Sequence, residues 1–150
     1  MIKVNVEPFK FIGISVQTTN ENGKAALDLA QLWHRFHSEK IMSKIPDKVD
    51  NEIYALYTDY KGDYTKPYKA LIGCKVNDVL VIPHGMVSKN VNGGKYLVFS
   101  PRGKLVEIVM NEWIKIWSTE FDRAYSVDFE VYGKKARDPE NAQVDIYVSV

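Results

Sequence analysis

One order of elements occurs twice in this chain, and that duplication constrains its fold more than any single motif. The alternating stretch "FKFIGISVQ" (residues 9–17) leads through "TTNENG" into a helical period, and "GKYLVFS" (94–100) leads through "PRG" into another. A shift of 80 positions lays Gly23-Lys24 on Gly103-Lys104 and Trp33 on Trp113, on the same face of each predicted helix. The register then drifts by about two residues, as loops allow, and "EIYALY" from Glu52 falls on "EVYGKK" from Glu130. Each half therefore reads strand, helix, strand, strand, closing with "YKALIGCKV" and "AQVDIYVSV". Turn signals at "KGD" (61–63), "VNGG" (91–94) and "KKARDPENAQ" (134–143) fit that layout. No Ser/Gly linker separates the halves, so the expectation is a single domain over 1–150, with pseudo-repeats of about 1–77 and 78–150 sharing one sheet and one core.

Both helices carry a buried stripe. Ala25, Ala26, Leu29, Leu32, Trp33 and Phe36 recur at helical spacing in the first, and Leu105, Val109, Trp113 and Ile116 in the second. In the second helix Val106, Met110, Ile114 and Trp117 widen the apolar arc beyond the ~100° that one packing face needs. Contact with the other helix, a protein partner or a second copy of the chain covers such an arc; so does an apolar ligand in a pocket lined by aromatic side chains.

The bulk chemistry excludes several function classes. Twenty Lys+Arg against 19 Asp+Glu leave a net charge of +1, with no electrostatic excess to hold a phosphate backbone or an anionic membrane. No apolar run approaches the ~18 residues of a membrane span, and the amino terminus alternates like a strand, so a cytoplasmic protein is expected. Cys74 is the only cysteine, which rules out an intrachain disulfide and a thiolate cluster for zinc. His34, His37 and His84 lack the spacing of metal ligands, and neither a GxSxG, a P-loop nor a GxGxxG is present. No metal and no cofactor is expected.

One residue stands out against that background. In "VDFEVYGKK" (127–135), Val127, Phe129 and Val131 alternate with Asp128, Glu130 and Tyr132 before a glycine ends the strand. If that second face is wet, Glu130 is an ordinary solvated acid; if it is covered, Glu130 is a charge without a visible partner, kept for a purpose. Period two leaves open which face the helices cover.

The stretches "EIYALYTDYKGDYTKPYKALIGCKV", "IPHGMVSKNVNGGKYLVFSPRGKLVEIVMNEWIKIW" and "DFEVYGKKARDPENAQVDIYVSV", with "FIGISVQTTN" and "LWHRFHSEKI" ahead of them, together resemble the GyrI-like effector-binding domain. That domain is the ligand-sensing half of AraC- and MerR-type multidrug regulators and also occurs free-standing, as integron-associated or YdeE-like proteins. The resemblance implies an α+β fold: a tandem βαββ repeat fused into one antiparallel sheet, with two helices and a central ligand cleft that admits amphipathic, often cationic, drug-like molecules. It also implies an acidic residue on the floor of the cleft, and the position here that matches is Glu130. Trp33, Trp113, Trp117, Tyr54 and Tyr132 are the aromatics expected around it, with Trp113 and Trp33 equally at home in plain core.

Three functions follow from the resemblance. The leading one is a non-enzymatic, stand-alone sensor or sequestering protein for an amphipathic cation held by Glu130 and aromatic walls. The second is a hydrolase acting on cyclopropane-type toxins, with Glu130 as general base or electrostatic stabiliser and Tyr54 or Tyr132 as proton source. The third is gyrase inhibition; near-neutral charge and the lack of an acidic tail speak against a DNA mimic. Regulators of this type carry a helix-turn-helix ahead of the sensing domain, whereas this sequence opens on its first strand, so direct nucleic-acid binding is not expected.

Overall fold

The computed structural model describes all residues, Met1–Val150. Eight strands form one antiparallel sheet in the order β1-β6-β10-β8-β3-β4-β2-β5: β1 (Ile2–Val6), β2 (Phe9–Thr18), β3 (Ile53–Thr58), β4 (Tyr68–Val76), β5 (Val87–Val91), β6 (Gly94–Phe99), β8 (Asp128–Tyr132) and β10 (Asp145–Ser149). Helix α1 (Lys24–Ser38) and the single turn α2 (Ile41–Lys44) follow β2; α3 (Leu105–Ser118) follows β6. A short side pair, β7 (Arg102–Gly103) with β9 (Ala142–Gln143), pins the start of α3 to the last loop. No helix is long and apolar enough to cross a membrane.

The expected α+β architecture of two βαββ units in one sheet is what the chain adopts, with one strand more in each half. Only Glu7 and Pro8 separate β1 from β2, yet the two strands lie at opposite ends of the sheet; the same holds for β5 and β6 across Asn92 and Gly93. Each leading strand is thus lent to the other half, which requires the sheet to curl until its ends meet at the two linkers. Gly93 marks the crossing. It sits at φ +78°, and a Cβ there would lie 2.3 Å from the Val6 carbonyl oxygen and 2.9 Å from the Pro8 nitrogen, so only glycine fits.

The repeat is more regular in space than in sequence. A shift of 85 carries β1 onto β5 (2 to 87) and the start of β2 onto that of β6 (9 to 94); Trp33 reaches Trp113 at 80, and β3 reaches β8 at 75 (53 to 128). Strand β6 is four residues shorter than β2, and nine residues join α3 to β8 where 14 join α1 to β3, so the two-residue drift read from the sequence is a correction of five. The consequence is chemical: the counterpart of Glu130 is Ala55, which is also its direct cross-strand partner, and Glu52 lies ahead of β3.

Strict alternation gives the sheet two different faces. Phe9, Phe11, Tyr54, Leu56, Leu71, Tyr96 and Phe129 fill the inside of the curl. Ile12, Ile14, Ala55, Tyr57, Ala70 and Ile72 face α1 and α2, and Ile146 and Val148 face α3 with Ile108 and Ile116. Both faces are therefore covered, which decides the environment of every side chain on β3 and β8.

Candidate functional site

Strand β8 has buried residues on both sides. Phe129 enters the curl, while Asp128, Glu130 and Tyr132 alternate onto the helix face. Both acids are 0% exposed, but they have opposite surroundings. Asp128 is saturated: it accepts from Arg123 Nη2 at 2.8 Å, Tyr60 OH at 2.5 Å, and the Ser149 backbone N–H and hydroxyl at 2.8 and 3.0 Å. It is a structural carboxylate that ties β8 to β10 and to the loop after α3.

Glu130 makes no ion pair. Its Oε2 accepts from Trp113 Nε1 at 2.6 Å and its Oε1 from the Tyr132 hydroxyl at 2.6 Å. Burial pushes its pKa above the ordinary carboxylate value, and the hydrogen bonds from Tyr132 and Trp113 pull only part of the way back. The Trp113 N–H can only donate, whereas the Tyr132 hydroxyl donates to an ionised carboxyl and accepts from a protonated one. Burial, reinforced by the Glu130 charge, raises the phenols of Tyr57 and Tyr132 well above their usual value, so both remain donors.

Above this carboxylate lies a cavity of about 700 Å³ between the two helices. Helix α1 contributes Ala26, Leu29, Ala30 and Trp33; α3 contributes Val106, Val109, Met110, Trp113 and Trp117; the sheet contributes Tyr57, Tyr68, Glu130 and Tyr132. Of the wide apolar arc of α3, Val106, Met110 and Trp117 border the cavity, with Val106 still 87% and Met110 47% exposed, and Ile114 lies off it, 52% exposed. Two crossed aromatic pairs frame the floor. Trp33 meets Tyr132 edge-on at 5.0 Å, and Trp113 meets Tyr57 edge-on at 5.7 Å. These pairs are copies of one another under the shifts of 80 and 75 residues, each joining a tryptophan of one half to a tyrosine of the other. The aromatic frame is symmetric, and the charge is not, because Ala55 stands where a second Glu130 would be.

At the open end Tyr64 and Trp117 stack with their rings 5.4 Å apart and only 7° from parallel. Tyr64 is held there through Asn20, whose amide donates to the Tyr64 carbonyl at 2.8 Å while its oxygen accepts from Tyr68 OH at 2.9 Å.

Of the residues singled out from sequence, the fold brings Glu130, Tyr132, Trp113, Trp117 and Trp33 onto this one cavity. Tyr54 lies elsewhere. It pairs with Val131 in register, so its ring points into the curl between Phe9 and Phe129, at 5.7 and 6.1 Å, on the far side of the sheet from Glu130. The misplacement follows from the repeat register, because Tyr57 is the true counterpart of Tyr132. Sequence reading also missed Tyr60, Tyr64 and Tyr68, which reach the cavity from the loop and strand after β3, and Arg123, which reaches it from the irregular segment after α3. A register search over the β3 and β8 stretches alone would have found Tyr57; nothing local marks the others.

Residues 4–150 match the family model described as Cass2, integron-associated effector binding protein. The regulator-named protein YobU of Bacillus subtilis (strain 168) is 29% identical over 153 residues, covering 94% of this chain and 91% of YobU. The transcriptional regulator BrlR of Pseudomonas aeruginosa is also 29% identical, over 131 residues that make up 81% of this chain and 46% of BrlR. Among solved structures, the integron cassette protein VCH_CASS2 from the mobile metagenome of Vibrio cholerae superposes with a TM-score of 0.74 at 26% identity, covering 99% of this chain and 94% of that one. The structure of SAV2435 bound to tetraphenylphosphonium has the same fold, with a TM-score of 0.78 at 15% identity over 98% and 91% of the two chains.

Proposed function

The chain belongs to the Cass2 family of integron-associated effector-binding proteins, and from that premise we propose that it binds an amphipathic monocation in the cavity between α1 and α3, with Glu130 as the counter-charge. The observation that carries this reading is Glu130 itself, a fully buried acid that has hydrogen-bond donors but no cation, at the floor of an aromatic cavity. An ionised carboxylate held this way is costly until a positive charge arrives. A cation about 4 Å away at an effective dielectric near 20 gains about 4 kcal/mol from the charge alone, and the ring faces add about 0.5–2 kcal/mol more. The single acid in a twofold-like aromatic frame favours one positive charge over two. SAV2435, solved with a lipophilic cation, supplies the first probe.

Sensing or sequestering is the role this gives the protein. The hydrolase reading uses the same atoms, because a carboxylate with a raised pKa beside two protonated tyrosines has the parts of a general base. Titration with tetraphenylphosphonium, followed by tryptophan fluorescence in the wild type and in Glu130→Gln, tests the proposal. Saturable quenching weakened at least tenfold by the substitution is expected; equal affinity in both proteins sinks the counter-charge role. Catalytic loss of an activated cyclopropane substrate would replace binding by hydrolysis.

A further inference from the structure

Arg123 is a buried cation with more donors than partners. Its side chain is 6% exposed, and Nη2 donates to Asp128 Oδ2 at 2.8 Å. Nε and Nη1 are buried and have no acceptor among the protein's own atoms. A guanidinium has five N–H groups, and these two nitrogens carry three of them. Asp128 cannot take them up, since Tyr60 and both donors of Ser149 already occupy it. The guanidinium carbon lies over two ring faces, 4.3 Å from the centroid of Tyr125 and 5.8 Å from that of Trp113, but a ring face offers no in-plane lone pair. Orphaned donors of this kind are rare in folded proteins and call for a physical reason.

The position of Arg123 supplies one. It belongs to the wall of the 700 Å³ cavity and to that of a smaller hollow of about 430 Å³ beside it, which shares Tyr64 and Trp117. The indole that carries Arg123 on its face is the one whose N–H binds Glu130. A molecule lying along Trp113 therefore meets a carboxylate at the indole's N–H edge and a guanidinium on its face.

We infer that Arg123 is the second recognition group of the cavity and takes an acceptor oxygen, such as an ester or amide carbonyl, on a ligand whose cationic end sits at Glu130. The inference rests on the cation-binding reading above and narrows its ligand class, from lipophilic cations in general to those that also carry an acceptor. An acceptor reaches the buried Nε and Nη1 only when the side chains that cover them move, and Tyr125, whose ring centroid lies 4.3 Å from the guanidinium carbon, belongs to the irregular segment after α3. A site built around such donors rejects the hydrocarbon analogue, because the analogue leaves them unpaired.

The test compares two isosteric cations by calorimetry, n-heptyltriphenylphosphonium and (3-ethoxycarbonylpropyl)triphenylphosphonium, against the wild type, Glu130→Gln and Arg123→Lys. Lysine keeps a positive partner for Asp128 and removes both orphaned nitrogens, and a melting curve checks its fold. The wild type is expected to bind the ester at least tenfold more tightly than the alkyl cation; Arg123→Lys is expected to bind the two cations equally. Equal affinity of the wild type for the two cations overturns the Arg123 role and leaves the cation site standing, provided Glu130→Gln weakens both. A preference that survives in Arg123→Lys assigns the ester to another group. Binding of neither cation overturns both proposals, and needs no variant to be read.

Discussion

Trp113→Phe probes the one contact on which the cavity's chemistry depends. The indole N–H donates to the fully buried Glu130 carboxyl at 2.6 Å, and the phenyl ring keeps the aromatic edge toward Tyr57 while deleting the donor. A hydrogen bond to a charged group contributes about 1.5–3 kcal/mol, against about 0.5–1.5 kcal/mol for a neutral pair. The loss of ring volume adds a packing cost that is the same whatever faces the indole. A double-mutant cycle with Glu130→Gln removes that common cost. Trp113→Phe is expected to cost about 1 kcal/mol more beside Glu130 than beside glutamine, which for a chain of this length separates the two backgrounds by about 2–4 °C in Tm. Urea unfolding followed by far-ultraviolet circular dichroism at pH 8 reads all four proteins. The coupling is also expected to shrink on acidification, as Glu130 takes up its proton and the charged bond becomes a neutral one. Additive losses, within about 0.5 kcal/mol at pH 8, would refute the reasoning and assign the indole's role to packing alone.

Two further outcomes follow from the same geometry. Glu130's folded pKa lies above its unfolded value near 4.5, so the folded state holds the proton more tightly; that stabilisation is complete below pH 4.5 and is lost as pH rises through the elevated folded value. The Tm of Glu130→Gln minus that of the wild type should therefore grow as pH rises through that window, and a flat difference would mean that the carboxyl is not perturbed by burial. Tyr54→Ala empties part of the sheet interior and is expected to destabilise by about 3–5 kcal/mol while leaving the affinity of the remaining folded protein for tetraphenylphosphonium unchanged; Tyr57→Phe, on the cavity floor, is expected to do the reverse, and an affinity loss in Tyr54→Ala would contradict the two-faced sheet.

Much of the fold was legible because it rests on periods that the chain writes down. Alternation placed the strands, spacing at three and four residues placed α1 and α3, and the Trp33–Trp113 match disclosed the duplication. The excess apolar arc of Val106, Met110 and Trp117 pointed to something beyond ordinary packing, and a cavity is what those three border. The register across the halves was not legible. The offset between the halves changes by five residues at each step, from 85 to 80 to 75, and matching Glu52 with Glu130 sent Tyr54 to the site in place of Tyr57.

The sequence by itself determined that this chain holds two copies of one unit, that its strands and helices are amphipathic in fixed phases, and that an acid stands on a strand face beside a tyrosine. Those are local facts, set by backbone period and side-chain type. Only the tertiary structure decided that both faces of that strand are dry, because coverage depends on where the helices land and on the exchange of β1 and β5 that curls the sheet. It alone separated Asp128, with four donors of which one is a guanidinium, from Glu130, with two donors and no cation. Two residues apart on one strand face, they read alike in sequence; the difference lies in Arg123 and Ser149, which come from elsewhere in the chain and meet Asp128 only in the folded protein.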